Sequence, residues 1–166
     1  MACARISLLA GILLTGASAA VASACPQELA VYGDPDKSLT VEFMPRENEA
    51  MAASHSFEVK MANGIVLDGA VIWSGHAARP EGIMMNGCPD GDVTGEELAA
   101  CTIWQGVIYS VDSLGNVDLL PPEGADAPEQ LLFPDLGRAI RMSAVWGDGN
   151  VTVVPWDVLR LEACQE

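Results

Sequence analysis

The chain has 166 residues, with 8 basic against 23 acidic ones and a formal net charge of −15. Half of it is apolar, enough to bury one core, so residues 25–166 fit a single domain. The acids are spread along the chain, and such a surface repels phosphate backbones, which excludes nucleic acid as a partner.

The first expected element is a leader. Met1 to Arg5 is a short basic start, Ile6 to Leu14 an apolar run too short to span a membrane, and Ala22-Ser23-Ala24 a small-residue cleavage site. Residues 1–24 therefore read as a secretory signal peptide, and the mature chain as a periplasmic or secreted protein. A lipoprotein anchored through Cys25 is the alternative, but a bacterial lipobox favours Leu where Ala22 stands, and the stretch from Thr15 to Ala24 is long for one. After the leader no apolar run approaches membrane-spanning length.

Strand signals dominate the rest. Leu39 to Met44 alternates and stops at Pro45. Phe57, Val59 and Met61 alternate with Glu58 and Lys60, and Asn63-Gly64 turns the chain back through Ile65, Leu67 and Val71-Ile72-Trp73. A two-residue turn would set Ile65 and Leu67 beside Lys60 and Glu58. A three-residue loop, Ala62-Asn63-Gly64, pairs Met61 with Ile65 and Val59 with Leu67. The second choice buries one common apolar face and puts Gly64 in a left-handed position.

Thr94 to Glu97 is a capping box that opens a short helix through Leu98-Ala99-Ala100. Thr102 to Val111 reads as one strand that turns near Leu114-Gly115-Asn116 and returns through Val117 to Leu120. Pro121 to Gly124 is a loop. Asp126 to Phe133 and Pro134 to Arg141 are expected as short helices. Arg141 to Trp146 and Val151 to Val154 are expected to pair as a hairpin, and Trp156 to Cys164 as a last strand with Leu159, Leu161 and Ala163 on one side. The expected fold is mainly β, a β-rich α+β domain. It is a single small barrel or sandwich of about seven or eight strands with short helical insertions, stapled by disulfides.

After the leader the chain keeps Cys25, Cys88, Cys101 and Cys164, an even number suited to an oxidising compartment. Cys25 and Cys164 stand at the two ends and Cys88 and Cys101 flank a turn-rich segment, so the expected pairs are Cys25–Cys164 and Cys88–Cys101. Neither Cys-x-x-Cys nor Cys-x-x-Cys-His is present, which removes redox dithiols and covalent haem.

Few residues suggest chemistry. Asn86 to Glu97 resembles a calcium loop, but Asn86 and Cys88 are poor occupants of its first and third positions. A looser acidic site remains in Asp90, Asp92 and Glu96. His76 with Met84, and further out Met85, His55, Met44, Met51 and Met61, is a soft set suited to copper but without a metal-site spacing. Ser74 and His76 follow a strand, where a hydrolytic loop site would lie, yet no Gly-x-Ser-x-Gly elbow is present. Trp73, Trp104, Trp146 and Trp156 lie near strand ends, and Trp73 and Trp104 beside His76 make a candidate binding surface for a sugar or peptide. The expectation is a non-catalytic binding or accessory domain, without a cofactor, whose partner is a protein or small ligand of the cell envelope. The rivals are a hydrolase around Ser74 and His76 and a periplasmic carrier of copper or calcium.

Overall fold

A computed structural model describes residues 25–46, 53–74, 78–89, 91, 94–147 and 150–166. The expected leader lies outside the described residues. Alternating sequence becomes an antiparallel meander of β1 (Ala30–Gly33), β2 (Leu39–Met44), β3 (Ala53–Met61), β4 (Val66–Ser74) and β5 (Arg79–Met85). Every second residue of β2 and β3 is buried, as one face of a half-buried sheet requires.

The rest of the chain adds α1 (Gly95–Cys101), β6 (Thr102–Val107), β7 (Tyr109–Val111), β8 (Val117–Leu119), β9 (Gln130–Leu132), α2 (Leu136–Arg141) and β10 (Val158–Cys164). The strands form one mainly antiparallel β structure, a curled sheet in the order β6-β5-β4-β3-β2-β1-β10-β9-β7-β8. That is ten strands, slightly more than expected. The excess comes from a bend. β6 is one edge of the sheet and β7 lies near the other, yet only Ile108 separates them. Ile108 is fully buried; its N–H donates to Pro80 O (3.1 Å) and its carbonyl accepts from Leu120 N–H (3.3 Å). One bent segment thus carries the chain across the curled sheet, as strands do at the corners of closed β structures.

The β3–β4 hairpin takes the three-residue loop. Val59 pairs with Leu67, Lys60 with Val66 and Glu58 with Asp68. Met61 N–H donates to Ile65 O (2.8 Å), and Gly64 has φ +90°, where glycine is preferred. Beside it Phe57 lies over Gly69, where a Cβ would run into the ring.

Three expectations fail. The segment 102–111 is two strands, and only β7 forms the hairpin with β8. Residues 126–133 contain β9 rather than a helix, because Leu131 is buried between β7 and β10. Arg141 ends α2 instead of starting a strand. Leu136 and Ile140, one turn apart, are both fully buried, so the helical period wins there, and Trp146 and Val151 keep only an isolated bridge. Of the turn expected at Asp148-Gly149-Asn150, the first two residues lie outside the described residues. The last strand is present as β10 with Leu159 buried, although Ala163 is exposed.

The core runs through an aromatic chain. Tyr32, Phe43, Phe57, Phe133 and Trp104 contact one another in that order at ring-centroid distances of 5.3 to 6.3 Å. Two disulfides brace it. Cys25–Cys164 joins the start of the described chain to β10 (Cα–Cα 5.6 Å), and Cys88–Cys101 ties the segment after β5 to α1 (5.3 Å).

Candidate functional site

A cleft of about 220 Å³ opens at the end of the sheet where β2 and β4 finish and β3 starts. It is lined by Arg46, Ser54, His55, Trp73, Pro122 and Glu123. A bulge builds its centre. Ala53 pairs with Ile72 and His55 with Val71, so Ser54 is an extra residue without a partner on β4, and the pairing register shifts there. Ser54 Oγ lies 3.0 Å from His55 Nδ1 and 3.2 Å from Val71 O. His55 Nε2 lies 2.9 Å from Pro121 O. A carbonyl only accepts, which assigns the ring hydrogen to Nε2; the single Ser54 hydroxyl hydrogen is then contested by two acceptors, His55 Nδ1 and Val71 O.

His55 is 1% exposed. Burial pushes its pKa below the ordinary value, while the Pro121 hydrogen bond and the charge of Glu123 pull it partly back. The neutral ring is therefore the resident form near neutral pH. Ser54 and His55 have the spacing of a nucleophile and its base. The rest of a hydrolytic site differs. The group that orients the ring is a carbonyl, which carries no charge to stabilise an imidazolium, and burial disfavours that imidazolium further.

The other side of the cleft is charged. Arg46 Nε donates to Glu123 Oε2 at 2.7 Å. Glu123 Oε1 is buried and has no hydrogen-bond partner among the described residues. A buried, unpaired carboxylate oxygen is costly, so this atom is an acceptor in need of a donor. Trp73, 41% exposed as a residue, completes the cleft. Trp73, Arg46 and Glu123 thus line one small space, with the Arg46–Glu123 pair on one side of it.

The residues singled out in the sequence scatter. Cys25 with Cys164 and Cys88 with Cys101 form the two disulfides, which takes Cys88 out of any calcium loop. Thr94 and Glu97 make the capping box: Glu97 accepts from Thr94 N–H (2.9 Å), and Glu97 N–H donates to Thr94 Oγ1 (3.3 Å). Glu96 is exposed in the first turn of α1. Met84 and Trp104 are opposite each other in the β5–β6 pair and both are buried. Trp104 donates from Nε1 to Pro134 O (2.9 Å) and packs on Phe133, so it belongs to the core and not to a surface with Trp73. Met84, fully buried beside it, fills core volume and is closed to a solvent-borne metal. His76, Asp90 and Asp92 lie outside the described residues, as does the side chain of Ser74. Among the described residues no three His, Cys, Asp or Glu side chains converge to hold a metal ion.

Arg46, Ser54 and Glu123 were not apparent as site residues from the sequence. Glu123 sits in a Pro-Pro-Glu-Gly loop that reads as a connection, and the bulge at Ser54 leaves no mark in an alternating strand. Comparison with family models, with curated proteins and with solved structures finds no match to this chain.

Proposed function

We propose that this protein is an exported, non-catalytic binding domain, periplasmic or secreted, that holds a small hydroxylated ring such as a saccharide unit in the cleft between Trp73 and Glu123. The observation that carries this is a cleft lined by the partly exposed Trp73 and by Glu123, whose Oε1 is buried without a partner among the described residues. A sugar ring offers a C–H face to an indole and O–H donors at its rim, which is what these two groups accept. Arg46 adds donors on the same side. Export is supported by the leader-like first 24 residues and by two disulfides, which suit an oxidising compartment. Among the described residues no helix is long and apolar enough to cross a membrane.

Ligand-observed NMR with a panel of neutral mono- and disaccharides tests the proposal. Binding of at least one sugar is expected, with loss on Trp73→Ala and weakening on Glu123→Ala. A panel that fails to bind, or binding that survives Trp73→Ala, overturns it.

One observation favours a second reading, hydrolysis, and that is the 3.0 Å approach of Ser54 Oγ to His55 Nδ1. Of the hydrolase site expected around Ser74 and His76, His76 and the side chain of Ser74 lie outside the described residues. A fluorophosphonate probe discriminates: attack by Ser54 Oγ forms an O–P bond, expels fluoride and passes the hydroxyl proton to Nδ1. Our reading expects no labelling. Labelling abolished by Ser54→Ala makes the protein a hydrolase instead.

A further inference from the structure

The opposite end of the sheet carries a different surface. The β1–β2 turn and the β3–β4 turn lie there, far along the strands from the cleft. Val153, Val154 and Trp156, in the loop before β10, are 51%, 41% and 55% exposed. Three large apolar side chains within four residues make a ridge, where isolated exposed apolar residues would need no explanation.

Two grooves flank the ridge. One, of about 310 Å³, is lined by Asp36, Lys37, Met61 and Val153 with their neighbours. The other, of about 410 Å³, runs along α2 past Arg138, Val154, Trp156 and Asp157. Trp156 Nε1 donates to Asp36 Oδ2 at 2.8 Å and joins the two into one surface. Met142, one turn beyond Arg138, is also exposed.

The charge of this surface decides what fits it. The chain carries −15 overall, so most of its faces repel a second copy. Here each groove is lined by one acid and one base, Asp36 with Lys37 and Arg138 with Asp157. Asp157 accepts through both oxygens, from Asp135 N–H and Gly137 N–H at 3.0 Å each, whereas Asp36 accepts from Trp156 through Oδ2 alone. Lys37 and Arg138 take part in no ion pair among the described residues. A two-fold contact is self-complementary only when the same patch holds both members of each pair. This one does: rotation by a half-turn about the ridge sets Arg138 of each copy toward Asp36 of the other, with the Trp156 ridges between them. We infer that this face is where two copies of the chain dock as a two-fold dimer. A basic partner would find one repelling cation in each groove, and an acidic partner one repelling acid.

Sedimentation velocity of the full chain with both disulfides formed, from low to high micromolar concentration, tests this. A dimer that dissociates on dilution is expected. Trp156→Asp and Val153→Asp should each raise the dissociation constant at least about tenfold, while Trp73→Ala at the other end leaves it unchanged. Arg138→Glu and Asp36→Arg should each be monomeric alone and dimerise when mixed, since the mixture has opposite charges across both contacts, one native and one swapped. Far-ultraviolet circular dichroism separates a lost contact from a lost fold. A folded wild type that stays monomeric at all concentrations, a dimer insensitive to both ridge variants, or a charge-swapped mixture that fails to associate would each overturn the inference.

Discussion

Two carboxylates, one at each end of the curled sheet, show how differently those ends are built. At the ridge end Asp34 is almost fully buried and fully used: Oδ1 accepts from Ser38 N–H (2.6 Å) and Leu39 N–H (3.1 Å), and Oδ2 from Ser38 Oγ (2.8 Å). It closes the β1–β2 turn. At the cleft end Glu123 spends one oxygen on Arg46 and leaves the other buried and unpaired. A satisfied carboxylate is a structural part, and an unsatisfied one stores a need that a ligand can meet. The disulfides divide in the same way. Cys25–Cys164 spans 139 positions near the cleft end, and Cys88–Cys101 spans 13 near the ridge end.

The largest effect should come from the long-range staple. Replacing Cys25 and Cys164 by Ser should cost about 5 kcal/mol in urea unfolding on the chain-entropy model, against about 3 for Cys88 and Cys101. Equal losses would mean that the two ends are not separately braced. Next comes the carboxylate comparison itself. Asp34→Ala should lose about 2 kcal/mol, because backbone and hydroxyl donors are left buried without an acceptor. Glu123→Gln should change stability by under about 1 kcal/mol, since the pair it weakens is partly exposed and the oxygen it replaces was unsatisfied. A large loss on Glu123→Gln would make that residue structural and dissolve the contrast.

A smaller effect follows from His55. Its folded pKa lies below the ordinary value of 6.5, so in the window between the two the unfolded chain binds the extra proton. The stability that this group contributes is fully present above pH 6.5 and falls as the pH drops below it. His55→Gln should flatten that part of the pH profile, measured by thermal unfolding; an unchanged slope would place the pH dependence elsewhere. The smallest effect is local: Thr94→Ala removes the capping box and should cost about 1 kcal/mol, read as earlier fraying of α1 by hydrogen exchange.

Much of the β3–β4 wall was legible because its strands are long and one face is buried. A one-residue slip would have put Ile65 and Leu67 in water, and the register followed from that alone. The capping box and both cysteine pairs were legible because each rests on a local pattern or on an even count in an oxidising setting. The second half was not. β9 and β8 are three residues each, too short to show a period. The bend at Ile108 divides an unbroken strand signal, and tertiary position alone sends its two halves to different edges. Trp104 was a candidate for a binding surface only because tryptophans at strand ends can share a face; its indole lies in the core, packed on Phe133 and donating to Pro134 O. The cleft was least legible of all. Arg46, Ser54 and Glu123 come from three separate segments, and the bulge that aims Ser54 at His55 has no composition of its own.

The claim that the cleft is a ligand site is tested most directly by a crystallographic screen with small hydroxylated rings. Density stacked on Trp73 with an O–H donor on Glu123 Oε1 is expected. Rings bound only elsewhere, or a cleft that stays closed to all of them, would contradict it.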